Sequence, residues 1–327
     1  MTYNLGYDPV AVARQVQSVT QGFVQTRQNL LASTAKVPGL LERRMMAAAS
    51  EPVKGALSRS GDGLMLNFAT SLAAGIIDAG DRPFNLWVDG TIMVHNRVAN
   101  GNRWGSFGMI SAGADYLLNE KMLVGLSFHY DHMIDPTDAD ALLTGNGWLT
   151  GPYASIELGK GVFWDGRLLY GRSSNTIDTE FWDGSFGTSR WLLDTAITGQ
   201  WQLDAVTTLT PSARAVYLNE AVQSYTVENG AGDAIVLDGF TSEQLRVSMG
   251  AEIARKLLME NGSILTPKLG VTGGVAGLDG SGAFGSIATS LNLQSPGALS
   301  IGTGLLFNID SRGETSVGAR VNISGQF

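Results

Sequence analysis

His129 and His132 flank Tyr130-Asp131. Two imidazoles three positions apart beside a carboxylate are the residue types that could share general acid–base work. They have little company. No Gly-x-Ser-x-Gly elbow occurs, no cysteine is present to act as nucleophile or thiolate ligand, and the chain holds 3 histidines in all. The Gly-rich stretches Gly273-Gly274 and Gly277–Gly285 lack a following Lys-Ser/Thr, so they do not make a phosphate-cradling loop. With 22 basic against 30 acidic residues the net charge is −8, which argues against the clustered basic surface a nucleic-acid partner needs. The residues therefore predict no enzyme, no metal and no cofactor, and the two histidines are expected to be hydrogen-bonding groups at a rim.

The elements that would position such residues are more informative. Charged residues make up 16% of the 327-residue chain and Gly numbers 42, where roughly 25% and about 7% are usual, so an ordinary soluble profile does not fit. Apolar content of 44% excludes disorder. The longest apolar run, Met45–Ala49, is far below the ~18 residues of a spanning helix. Met1–Val10 has neither the basic start nor the apolar stretch of a secretory signal, so an exported chain would need one upstream. Across residues 8–58 the apolar positions Val12, Val16, Val19, Phe23, Val24, Leu30 and Leu31 recur at three- and four-residue steps. The spacing predicts a helix, broken at Val37-Pro38-Gly39 and resumed by Leu40, Leu41, Met45 and Met46.

From Pro83 the period changes to two and persists to the end. In 121–131 one face is Met122, Val124, Leu126, Phe128 and Tyr130, and the other is Lys121, Leu123, Gly125, Ser127, His129 and Asp131. In 244–253, Leu245, Val247, Met249, Ala251 and Ile253 oppose Gln244, Arg246, Ser248, Gly250 and Glu252. Twelve such segments are expected, at about 84–97, 103–117, 122–134, 146–158, 162–174, 188–202, 206–219, 242–255, 263–275, 285–294, 298–309 and 315–327. Short connections alternate with longer ones, of which 176–187, 220–241 and 276–284 are the most extended. An all-β, twelve-stranded antiparallel transmembrane barrel has this pattern, with short turns periplasmic and long loops outside, which places the C-terminus in the periplasm. A soluble β-sandwich alternates too, but its strands are commonly only ~5–6 residues long.

Trp191 and Trp201 share one outward face ten positions apart. At ~3.3 Å per residue and ~40° of tilt they stand about 25 Å apart along the normal, the height of the apolar band. Trp148, Trp164, Tyr170 and Tyr217 have the same parity and join them as an expected aromatic girdle. The inward parity collects Asp89, Glu157, Asp165, Arg167, Asp194, Arg214, Arg246, Glu252, Lys268 and Arg320, a lumen wall of both signs. Inward Trp87, Tyr153, Leu169 and Leu192 are too bulky for a clean channel and predict a plug. The segment 8–58 suits that role, because Gln15, Gln17, Gln21, Gln25, Arg27 and Gln28 could satisfy a polar wall.

Several short stretches then carry a likeness: Phe23–Leu31 in the helix, Pro83–Gly90 at the first strand, Gly113–Tyr116, Gly147–Tyr153, Leu209–Ala213 and Leu265–Gly270. In this order and spacing the chain resembles the translocator β-domain of bacterial autotransporters, the type V secretion proteins, especially forms common in alphaproteobacteria. The resemblance implies a barrel with an N-terminal helix in its pore, in the outer membrane of a Gram-negative bacterium, through which an upstream passenger in the same chain reaches the surface. It implies three further partners or states: outer-membrane lipid, the barrel-assembly machinery, and a monomeric barrel. Ser316, Gly318, Val321, Ile323 and Phe327 look like the family's C-terminal assembly signal, from which Gly325 departs, and no Asn-Asn junction for self-cleavage is found. The expected organisation is a helical linker and pore segment at 1–60, a connection at 61–82 and the barrel at 83–327. A surface adhesin and a hydrolase with a loop site are the alternative readings, and helix packing at the barrel mouth is the alternative to a plug.

Overall fold

Asp8 opens the N-terminal helix α1 (Pro9–Thr34): its side chain accepts the Val10 N–H at 2.9 Å, and Pro9 occupies the first turn, where no intrahelical donor is needed. Gly22 is the only glycine within it. The helix ends at Ala35, ahead of Pro38, which cannot continue the hydrogen-bond ladder. The structure is a computed structural model that describes residues 7–35, 37, 39–41, 54–60, 63–71, 84–96, 103–137, 140–260, 263–280, 282–294, 299–311 and 315–325.

After the helix come β1 (Lys54–Ser60), β2 (Gly63–Ser71), β3 (Phe84–His95), β4 (Gly105–Asn119), β5 (Met122–Pro136), β6 (Leu142–Gly159), β7 (Val162–Asp178) and β8 (Trp182–Gly199). They are followed by β9 (Trp201–Gln202), β10 (Thr207–Val222), β11 (Tyr225–Asn229), β12 (Ala234–Leu237), β13 (Phe240–Arg255) and β14 (Leu257–Leu258). The last are β15 (Ile264–Leu278), β16 (Gly282–Gln294), β17 (Leu299–Asp310) and β18 (Thr315–Gly325). Every pairing is antiparallel, and successive long strands are neighbours from β3 through β8 to β10, β13 and β15 to β18. These strands of 11 to 18 residues overlap the twelve expected segments.

Two features differ from the sequence reading. First, Lys54–Ser60 is a strand where a helix was expected, and with β2 it forms a hairpin that pairs on one side with β18 and on the other with β3. This hairpin adds two strands to the twelve expected, and the short β9, β11, β12 and β14 add four more. Leu64, Leu66 and Phe68 alternate with Met65 and Asn67, and a ladder against them makes a strand of 54–60, which has no clear period of its own. Second, two expected long loops are mostly strand. β7 runs to Asp178 and β8 begins at Trp182, leaving three residues between them, and β15 runs to Leu278 while β16 begins at Gly282. The stretch 220–241 contains the β11–β12 hairpin, whose β11 pairs with the start of β8, Val227 opposite Gly184. Of the expected second helical piece, Leu40 and Leu41 are helical, and Met45 and Met46 lie outside the described residues.

The polarity of this sheet is inverted relative to a soluble protein. Leu126 is 65% exposed and Met249 71%, whereas Arg27, Arg190 and Asp131 on the inner side are essentially inaccessible. An outward face of Ile110, Leu126, Phe128, Leu168, Leu193, Ile197, Val247 and Leu269 would cost free energy in water and is at home in hydrocarbon. Among the described residues no helix is long and apolar enough to cross a membrane.

Candidate functional site: the helix-filled lumen

The helix α1 lies inside the sheet and meets the wall along its length. Toward its N-terminus Tyr7 stacks edge-on against Trp182, with ring centroids 5.0 Å apart, and Thr20 Oγ1 lies 2.9 Å from the Tyr225 hydroxyl. Burial raises the pKa of Tyr225 above the ordinary phenol value, and the hydrogen bond to Thr20 only partly offsets it. Toward the other end the Leu40 N–H donates to Ser155 Oγ at 2.8 Å, and Arg214 Nη2 donates to the Ala32 carbonyl at 2.8 Å. Trp182 and Tyr225 sit at the end with the longer connections, and Ser155 is near the β6–β7 turn. The helix therefore runs from the loop end to the short-turn end.

Apolar and polar contacts share the interface. Val16, Phe23, Val24, Leu30 and Leu31 pack with Met109, Met133, Leu143, Leu149, Leu169, Leu192, Val216 and Leu218 in one buried cluster, and Leu40 joins Leu123, Tyr153 and Phe163 in a second. Leu169, Leu192 and Tyr153, read from the sequence as bulky inward residues, are thus covered by the helical segment. Tyr153 also donates its hydroxyl to Asp115 at 3.1 Å.

At the centre, Asp131 is held by two guanidinium groups: Arg27 Nε donates to Oδ1 at 2.6 Å and Arg190 Nη2 to Oδ2 at 2.5 Å. Arg27 Nη1 donates to Asn175 Oδ1 at 2.7 Å. Asn175 Nδ2 donates to Ser173 Oγ, which lies 2.7 Å from Thr188 Oγ1, and Thr188 donates to Glu220 at 2.6 Å. The cluster contains two cations and two anions, which is the balance a low-dielectric interior requires. Gly145 and Gly147 make room for it. A Cβ on Gly145 would come within 2.7 Å of Arg27 Nη1, and one on Gly147 within 2.7 Å of Arg27 Nη2 and against Arg190.

The expected lumen residues fall into further groups. Asp194 accepts from Arg167 Nη2 at 2.6 Å and from Arg214 Nε at 3.0 Å. Arg246 Nη1 and Gln244 Nε2 each donate to Asn29 Oδ1 at 2.8 Å, and the Arg246 guanidinium lies 4.4 Å from the Phe284 ring centroid. Gln28 donates to the Ser242 carbonyl at 3.0 Å. Lys268 pairs with Glu252 at 3.1 Å, and Asp165 stands beside Gly39 and Glu157 beside Gly161. Of the six polar helix residues expected to meet the wall, Arg27 and Gln28 do so by these bonds, while Gln15 and Gln21 are exposed. The side chains of Trp87, Asp89, Arg320, Ser316, Val321 and Ile323, the surroundings of Gly318, and all of Phe327 lie outside the described residues.

The sequence reading did not include Arg190, Glu220 or Asn175 in the lumen. Arg190 lies within the expected segment 188–202 on the parity of Leu192 and Asp194, so alternation alone could have found it, and Glu220, on the parity of Arg214 and Val216, lies one residue past the expected 206–219.

The two histidines do not form a pair. His129 is buried on the inner face, with Nδ1 2.7 Å from Ser111 Oγ and Nε2 3.1 Å from Ser127 Oγ. His132 belongs to the outward face and bonds Asn146. Three positions apart on a strand, two residues point to opposite sides, so a shared proton relay is geometrically excluded. Among the described residues no group of three or more His, Cys, Asp or Glu could hold a metal ion.

On the outer surface Trp148, Tyr170 and Trp191 form a continuous row over β6, β7 and β8, with centroid separations of 6.2 and 4.7 Å. Tyr217, opposite Leu193, donates its hydroxyl to Glu243 at 2.6 Å. Trp201 is exposed toward the short-turn end. Trp164 is not in the row: it lies opposite Ile197 and donates Nε1 to Thr195 at 2.9 Å.

A sheet with lipid-compatible side chains outside, a balanced polar lumen and a helix through it defines an outer-membrane barrel with a filled pore. The family is settled by comparison: the autotransporter beta-domain family matches residues 92–322, and the chain belongs to it. Among solved structures it is similar to the translocator domain of the autotransporter NalP from Neisseria meningitidis, at 13% identity and a TM-score of 0.51, over 88% of this chain and 95% of that one. It is also similar to the CymD monoaromatic hydrocarbon channel, at 11% identity and a TM-score of 0.55, over 88% and 92% of the two chains. At such identities the likeness concerns the fold. No curated protein matches the sequence. The chain is an outer-membrane translocator pore of a Gram-negative bacterium for secretion of a passenger carried in cis.

Proposed function

We propose that the pore conducts its passenger toward the loop end and is then closed by α1, which stays threaded with its N-terminus outside and its C-terminal end near the periplasmic turns. The observation that carries this reading is the run of wall contacts from Tyr7 and Thr20 through Arg27 to Leu40, which crosses the lumen from one mouth to the other. In this reading the helical segment ahead of the barrel is the plug, and the part near 61–82 is connection and hairpin. The chain end lies in the periplasm, where Ser316, Gly318, Val321, Ile323 and Phe327 present the assembly signal to the barrel-assembly machinery. Lipid covers the outward face, the girdle residues mark its two interfaces, and the barrel works as a monomer without nucleic acid. No step is catalytic. The pore contributes a stable ring in which every backbone donor and acceptor can pair without water.

The absence of native cysteine allows a clean test. Glu180→Cys at the loop end and Lys160→Cys at a short turn are exposed to a membrane-impermeant maleimide on intact cells, with a passenger fused upstream. Glu180→Cys is expected to label directly and Lys160→Cys only after the outer membrane is opened. The reverse pattern would refute the orientation, and a passenger that remains surface-displayed but leaves the pore conducting as though α1 were deleted would refute the plug.

A further inference from the structure

The outward face changes character abruptly on the loop side of the aromatic row. Along β7 it reads Leu168, Tyr170, Arg172, Ser174, Thr176 and Asp178, and along β8, taken toward the loop, Ile197, Thr195, Leu193, Trp191, Ser189, Gly187 and Ser185. At this boundary Arg172 stands directly across from Trp148, and its Nε donates to the Tyr170 hydroxyl at 3.3 Å. On the next strand Asn146 Oδ1 accepts from the Tyr130 hydroxyl at 2.9 Å and lies 2.8 Å from His132 Nδ1. Since Oδ1 can only accept, the facing imidazole nitrogen carries the proton. The Asn146 amide hydrogens and both Nη groups of Arg172 are then donors left available on this face. Arg172 forms no ion pair among the described residues. Its neighbours along and across the ladder, Tyr170, Ser174, Trp148 and Ser189, carry no carboxylate.

A patch of several donors around one uncompensated cation favours an anion, and a planar guanidinium matches phosphate oxygens in particular. Its position narrows the ligand further. Immediately below lie Trp148 and Trp191, then exposed Leu168, Leu193, Phe128 and Ile197, so a ligand covering both levels must have a phosphate on top and acyl chains beneath. We infer that Arg172 and Asn146, framed by Tyr130, His132 and Tyr170, form a binding site for the headgroup phosphate of an anionic, phosphate-bearing lipid in the leaflet on the loop side of the membrane. The inference rests on the reading that lipid covers the outward face.

The test uses the full chain, folded in nanodiscs of phosphatidylcholine, with bis-phosphorylated lipid A as probe and native mass spectrometry of the released complexes as readout. Retention of lipid A is expected to fall about tenfold in Arg172→Gln with Asn146→Ala, the scale of losing charge-assisted hydrogen bonds. It should stay unchanged in Lys160→Gln at the opposite rim. Dephosphorylated lipid A should bind wild type as weakly as lipid A binds the double variant, and inorganic phosphate in excess should leave lipid A in place. Equal retention by wild type and double variant, both embedded and heat-modifiable on gels, overturns the site, and displacement by inorganic phosphate overturns its assignment to a lipid. A chain that folds and stays monodisperse in buffer without amphiphile overturns both this inference and the lipid-facing reading beneath it.

Discussion

Replacing Arg27 by methionine removes a guanidinium from the centre of the helix–wall contact while leaving most of the stem that packs beside Phe23. The lost interactions are one charge-assisted bond to Asp131 and one bond to Asn175. These are worth roughly 1.5–3 and about 1 kcal/mol, since both are fully buried. Asp131 is not stranded, because Arg190 still reaches its other oxygen at 2.5 Å. The net cost to the docked helix is thus about 3 kcal/mol, and at ~1.4 kcal/mol per decade the undocked population rises on the order of a hundredfold. Asp131→Asn should do more: it leaves Arg27 and Arg190 facing one another without the anion between them, at roughly 3–5 kcal/mol. Single-channel recording in planar bilayers reads these populations as the fraction of time a large conductance is open. The expected order is Asp131→Asn above Arg27→Met above wild type, with heat-modifiable mobility confirming that each barrel is folded. If both variants fold and open no more often than wild type, the cluster does not hold the helix and the argument from burial fails.

Three other outcomes follow from different parts of the molecule. Ile197→Arg places a charge midway between Trp191 and Trp201 on the outward face and should destabilise the barrel by roughly 2–4 kcal/mol in a urea titration from lipid vesicles, with a midpoint equal to wild type counting against lipid contact there. Gly147→Ala drives a Cβ into Arg190 and toward Arg27, so the helix should undock at a cost of about 1–3 kcal/mol, seen as raised conductance; a closed, folded variant would show that the cluster can yield. At the Leu203–Thr207 turn, Asp204 accepts the N–H groups of Val206 and Thr207 and the Thr207 hydroxyl, and these bonds, that from Val206 foremost, lower its pKa. With the folded value below the unfolded one, the turn's contribution is complete above the ordinary aspartate range and is lost as pH falls through the folded value. Hydrogen-exchange protection of the two amides should therefore show an acid step that Asp204→Asn lacks, and an identical acid profile in the variant would be contrary to this.

Alternation made the sheet legible, because a wall between lipid and a polar lumen imposes opposite chemistries on neighbouring residues. The faces read from 121–131 and 244–253 are the faces the structure shows, with Leu126 and Met249 outside and Asp131 and Gln244 inside. The same criterion shortened the strands. Past the aromatic row the outward residues become Arg172, Ser174, Thr176 and Asp178, both faces are then polar, and the period disappears although the ladder continues to Asp178. Glu220 and Asn175 were missed for this reason, each one residue past an expected segment, whereas Arg190 lay inside the expected 188–202 on the inward parity and was simply not counted among the lumen charges. The β1–β2 hairpin was hidden by a different cause, since Lys54–Ser60 has no period of its own and becomes a strand only against β2 and β18.

Which inward charge meets which was beyond the reach of sequence. Asp131 and Arg190 are separated by 59 positions and sit three strands apart, on β5 and β8, and Arg27 is 104 positions from Asp131, so their meeting depends on the stagger of the ladders and on the depth to which the helix is inserted. A displacement of α1 by one turn, about 5.4 Å, would carry Arg27 past both Asp131 and Asn175 and bury it without an anion. Leu30, Leu31 and Phe23 would tolerate such sliding far better, because apolar contact has no directional requirement. The apolar cluster therefore holds the helix in the lumen, and the Arg27–Asp131–Arg190 group sets its depth. That division explains why a secretion pore would keep a costly ionic cluster at its centre: the greasy surface lets a chain slide through, and one register-specific contact stops the last segment in place.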